Sequence, residues 1–66
     1  MTFAKTLKEL RVEKGYSQTC LADLVGATKQ NISDWENGKS ETSFEMLVRL
    51  AKIFEVTVGQ LLGVED

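Results

Sequence analysis

The stretch Ser17–Lys39, SQTCLADLVGATKQNISDWENGK, decides how this 66-residue chain folds, because it reads as two short helices joined by a turn that few residue pairs tolerate. Ala22 sits where a second helix must cross the first at close range, and a small side chain lets the two backbones approach. Gly26, four residues on, gives the turn a residue without the Cβ penalty at positive φ. Thr28 can cap the next helix by accepting a hydrogen bond from a free backbone N–H two or three residues later, so that helix is predicted to start near Lys29. Ile32 and Trp35, spaced i and i+3, turn its apolar side onto Leu21, Ala22 and Val25. Lys29, Gln30, Ser33 and Asp34 are left facing outward. The first helix braces and the second is presented.

Working outward, the length allows one domain, residues 1–66, near the lower limit at which a single core suffices without staples. One cysteine cannot form an internal disulfide, and with no histidine there is no Cys/His cluster for a structural zinc. Stability must come from helix packing, helped by any dimerisation. No apolar run approaches 18 residues and no basic-then-apolar start is present, so a soluble, cytoplasmic protein without a membrane partner is expected. A glycine-rich phosphate loop and a nucleophile beside a base are both missing. The expectation is therefore no enzyme, no metal and no cofactor.

The flanking segments predict three more helices. Phe3, Leu7 and Leu10 mark one face of a first helix running to about Lys14, with Thr2 as its cap and Gly15 as its stop. Ser17 opens the second, but Cys20 stands where a capping box needs Glu or Gln, so that cap is half made. Asn37-Gly38 ends the third. Ser43 begins a fourth with the apolar set Phe44, Leu47, Leu50, Ala51 and Phe54, and Thr57 caps a short fifth carrying Val58, Leu61 and Leu62 before Gly63. No segment alternates with period two over a useful length, so no sheet is predicted.

Charge is distributed unevenly around a net of −2. Residues 1–40 hold six Lys/Arg against five Asp/Glu, net +1, and residues 41–66 hold two against five, net −3. A strongly basic balance, usual where affinity comes from phosphate neutralisation, is absent. The asymmetry still permits DNA binding through the N-terminal part, with modest non-specific affinity and room for another partner.

Small residue, glycine and buried β-branched residue at this spacing form a helix-turn-helix signature. The segments LKELRVEKGYSQTCLADLVG, ATKQNISDWENGK and FEMLVRLAKIFEVTVGQLLG resemble the Xre family, the DNA-binding domains of phage repressors and Cro proteins, over nearly the whole chain. The resemblance implies an all-α, compact five-helix domain of the lambda-repressor-like kind, with its helix-turn-helix at about residues 17–37, that binds a double-stranded operator as a dimer. By position it makes Lys29, Gln30, Ser33 and Asp34 base-contacting, and Gln18, Thr28, Asn31, Asn37 and Lys39 backbone-contacting. Arg11 and Glu36 match a pair that bridges helix 1 to the end of the recognition helix. The start of helix 5 and the loop after helix 3 meet across a two-fold axis in that family, which points to Glu41, Thr42, Val58, Gln60 and Leu61 as a weak homodimer interface. Two departures stand out. Asp34 occupies a site where basic or amide side chains are common, and a carboxylate there repels phosphate and accepts only from donors such as cytosine N4. Thr42 replaces a common proline.

Each residue also has a plainer reading. Trp35 fits the core better than a base stack. Cys20, without a partner cysteine or adjacent histidine, reads as a small apolar helix residue, and Leu24 as a surface leucine. Gln30 carries the stronger functional case, because an exposed amide on a presented helix can pair with adenine N6 and N7. The sequence thus predicts a sequence-specific dimeric DNA-binding regulator, a repressor in the absence of an attached activation or ligand domain. The rival is a protein-binding module of the same fold, an antitoxin or anti-repressor, holding a partner on the acidic helices 4 and 5.

Overall fold

Side-chain caps set where four of the helices begin. The computed structural model describes residues 3–64, which form α1 (Phe3–Lys14), α2 (Gln18–Val25), α3 (Lys29–Glu36), α4 (Phe44–Phe54) and α5 (Val58–Leu62), with no strand among them. The hydroxyls of Ser17, Thr28, Ser43 and Thr57 accept from the backbone N–H groups of Cys20, Asn31, Met46 and Gln60 at 3.0, 3.0, 3.1 and 3.0 Å. Two of these caps close into reciprocal boxes: Asn31 Oδ1 accepts from the Thr28 N–H at 3.1 Å and Gln60 Oε1 from the Thr57 N–H at 2.9 Å. The expected cap at Thr2 lies outside the described residues.

The stops are equally local. Gly26 takes φ +76° after α2, and the next N–H, from Ala27, reaches back to the Ala22 carbonyl at 2.8 Å. At the end of α4 the same left-handed stop is made by Glu55 at φ +59°, which the sequence did not announce. There the Val56 N–H closes on the Ala51 carbonyl at 3.0 Å.

One core joins all five helices. Leu7, Leu21, Ile32, Leu50 and Leu61 are fully enclosed, with Ala22, Val25, Trp35, Ala51 and Phe54 around them. The presented helix α3 packs on α1 and α2, α4 on α1, α2 and α5, and α5 also on α1. Arg49 of α4 donates to the Val25 carbonyl at 3.2 Å and so closes the C-terminus of α2 from a neighbouring helix. Two expectations need correction. Phe44 is 72% exposed rather than core, because it is the first residue of α4 and its side chain leans back past the helix start, where nothing covers it. Leu61 has no exposure at all, so it fills this chain's own core and offers no surface to a second copy.

Candidate nucleic-acid interface

Ile32 and Trp35, both buried, fasten α3 to the body and turn its other side to solvent. Lys29, Gln30 and Asn31 are exposed there, and Ser33 and Asp34 are half-exposed. Thr28, Asn37 and Lys39 flank this face at either end, all exposed. An eight-residue helix is about 12 Å long, comparable to the width of a B-DNA major groove, about 12 Å. The Lys39 backbone N–H donates to the Asp34 carbonyl at 2.8 Å, while the side-chain ammonium groups of Lys29 and Lys39 have no partner among the described residues and are open to an anionic one.

The polar side chains of this face are bonded to one another at i, i+4 spacing. Gln30 Nε2 donates to Asp34 Oδ1 at 2.8 Å, and Asn37 Nδ2 donates to Ser33 Oγ at 3.3 Å. Ser33 keeps its own O–H to donate, and Gln30 and Asn37 keep their carbonyl oxygens. Asn31 spends its carbonyl on the cap of α3, which leaves its amide N–H groups for an outside acceptor. The cap role was readable only in part, since Asn at the third helical position is a less common box partner than Glu or Gln.

Behind the face, Arg11 and Glu36 form the expected ion pair, and it is shielded. Arg11 Nε and Nη2 donate to the two Glu36 oxygens at 2.6 and 3.2 Å, with the side chains 13% and 3% exposed. Arg11 Nη1 also donates to the Tyr16 carbonyl at 2.9 Å. Gln18 adds a bond the sequence did not indicate: its Nε2 donates to Glu36 Oε1 at 3.1 Å, tying the first turn of α2 to the last turn of α3. Gln18 is therefore half-committed inside the domain, with one amide hydrogen left for a phosphate.

Glu41 and Thr42 border an open cleft of about 350 Å³ whose floor is apolar, formed by Phe3, Trp35, Leu47 and Leu62. Val58 is half-buried against the core, and Gln60 is half-buried and engaged in the cap of α5. Of the apolar residues near the C-terminal end, Val64 is the most open, at 77% exposure.

A family model described as helix-turn-helix matches residues 7–61. The chain belongs to the helix-turn-helix family. This helix-turn-helix chain is 40% identical over 60 residues to the SPbeta prophage-derived uncharacterized HTH-type transcriptional regulator YonR of Bacillus subtilis, covering 91% of this chain and 56% of that protein. Its fold is similar to that of the P22 c2 repressor protein solved in complex with a synthetic operator, with a TM-score of 0.92, 25% identity and 98% of each chain covered. The fold is also similar to part of hydroxypropylphosphonic acid epoxidase from S. wedmorenis, at a TM-score of 0.83 and 33% identity over 91% of this chain but 32% of that one. A helix-turn-helix fold therefore does not by itself dictate the chemistry of a whole protein. The chain spans about half, or less, of the length of the curated relatives it matches. Among the described residues no helix is long and apolar enough to cross a membrane.

Proposed function

We propose that this chain is a sequence-specific DNA-binding transcriptional regulator, a repressor acting as a dimer on an inverted-repeat operator, without enzymatic activity and working in the cytoplasm. The observation that carries the reading is the outward face of α3. It is a helix anchored by buried Ile32 and Trp35, of groove-filling length, whose exposed side chains are polar, flanked by Lys29 and Lys39 ammonium groups that have no partner among the described residues. Likeness over 98% of both chains to a repressor solved on operator DNA supports the same use of the fold. In this reading α3 lies in the major groove, with Lys29, Gln30, Ser33 and Asp34 toward base edges. The α2 helix crosses the backbone with Gln18 toward a phosphate, and Thr28, Asn31, Asn37 and Lys39, on and around α3, face phosphates as well.

The dimer reading draws on helix number: each chain presents a single α3, so an inverted repeat with two major-groove faces roughly 34 Å apart takes two copies. Glu41, Thr42, Val58 and Gln60, around the cleft after α3 and the start of α5, are the proposed contact. A surface this limited would be below standard interface size, so the free protein is expected to be mostly monomeric when dilute and to pair on DNA.

The rival reading, a protein-binding module, draws on the exposed Phe44 in the acidic C-terminal part. Selection of the purified chain against a randomised duplex library separates the two. Enrichment of an inverted repeat, followed by a competitor-resistant electrophoretic shift, is expected; recovery of no sequence would overturn the regulator.

A further inference from the structure

Asp34 is an unusual residue for a DNA-facing helix, since its carboxylate repels phosphate and cannot donate to guanine. Its geometry gives it a different task. Asp34 Oδ1 lies 2.8 Å from Gln30 Nε2, one turn earlier on the same face. A carboxylate only accepts, so the end of the Gln30 amide that approaches it must be the NH₂ end, and the carbonyl oxygen must point away. With one amide hydrogen held by Asp34, Gln30 has one donor and one acceptor left to show the groove.

We propose that Asp34 is a positioning residue that acts through Gln30, locking its amide in the orientation that reads adenine. Adenine presents one acceptor, N7, beside one donor, N6–H₂, which complements the remaining donor and acceptor of a held glutamine. Guanine presents two acceptors, N7 and O6, and would set one of them against the Gln30 carbonyl. A free glutamine amide can turn over or offer both hydrogens, and so tolerates more bases. The Asp34 charge adds to the bias, because a second acceptor beside the reader repels guanine O6, where adenine presents the N6–H₂ donor instead. Closure of the groove around the pair removes competing water and strengthens the charge-assisted bond. The neighbouring Asn37–Ser33 pair is made in the same i, i+4 fashion, but both its members are neutral and each can turn over, so it imposes no such polarity.

The inference rests on the DNA-binding reading above, and its test keeps the two apart. Base preferences are measured by selection from a randomised duplex library for the wild-type chain, Gln30→Ala, Asp34→Asn, Asp34→Ala and the Gln30→Ala/Asp34→Ala double variant. Circular dichroism confirms that these surface variants are folded. The wild type is expected to prefer adenine at one base pair by roughly 10- to 100-fold, the discrimination of one good bidentate contact. Gln30→Ala should erase that preference. Asp34→Ala and the isosteric Asp34→Asn should reduce it at the same base pair by about fivefold or more, with guanine gaining most, and Asp34→Ala should add nothing there once Gln30 is absent. If wild type enriches a sequence and Gln30→Ala relaxes one pair, but the Asp34 variants leave that pair's preference unchanged, the positioning role is wrong and the regulator stands. Loss of preference at a different base pair only, the sign of direct reading by Asp34, overturns it as well. No enrichment by wild type removes both.

Discussion

Replacing Glu36 by glutamine tests how the recognition helix is held. The substitution conserves shape but removes the charge that faces Arg11, whose side chain is only 13% exposed and whose Nε and Nη2 bond the two Glu36 oxygens at 2.6 and 3.2 Å. Taking charge centres about 4 Å apart and an effective dielectric constant of about 20, the attraction lost is about 4 kcal/mol. A glutamine oxygen can still accept one bond from Arg11, returning about 1 kcal/mol. The Gln18 amide, now facing a mixed donor and acceptor at 3.1 Å, loses its charged partner as well. The expected loss is therefore about 3 kcal/mol, at the low end of the 3–5 kcal/mol typical of breaking a shielded pair from one side. For 66 residues, with a total stability of roughly 3–10 kcal/mol, that is a large fraction. Urea denaturation should show a lower midpoint at unchanged slope, and the melting temperature should fall by roughly 12–24 °C. The double variant Arg11→Met/Glu36→Leu leaves no uncompensated charge and should be less destabilised than Glu36→Gln alone. A loss under about 1 kcal/mol for Glu36→Gln, the worth of a surface pair, would refute the reasoning.

Lys39→Ala should weaken binding to all duplexes alike and reduce the salt slope of log K by about one unit; a change confined to one base pair would contradict a phosphate contact. Thr28→Ala opens the capping box of α3 and should cost about 1–2 kcal/mol by chemical denaturation, against almost nothing if the box contributes little. Glu55→Gly relieves a non-glycine residue at φ +59° and should raise stability by up to about 1 kcal/mol, the unfolded-state entropy of glycine opposing part of the gain. Sedimentation of the chain with duplexes selected from the randomised library should give two copies per full site and one per half-site; one per full site at saturation would end the dimer reading.

Helix order and helix ends were legible because they depend on contacts within a few residues. Thr28 and Lys29 mark the start of α3, Gly26 the end of α2, and Ser43 and Thr57 cap α4 and α5 where the sequence predicts them. The apolar spacing of Ile32 and Trp35 is enough to tell the buried side of α3 from the other one, on which Lys29 and Gln30 are exposed and Ser33 and Asp34 half-exposed. What sequence periodicity could not supply is which neighbour each face meets. Phe44 has core spacing yet lies open, because burial depends on whether another helix reaches past the start of α4. Leu61 looks like surplus apolar surface yet is enclosed, because α1 and α4 close over it. The bonds that shape the candidate interface were beyond the pattern too. Gln18 and Arg49 reach partners 18 and 24 residues away, and the Gln30–Asp34 bond depends on rotamers that spacing permits without requiring. Local hydrogen bonding and side-chain size are written along the chain; the choice of long-range partner exists only once the helices have packed.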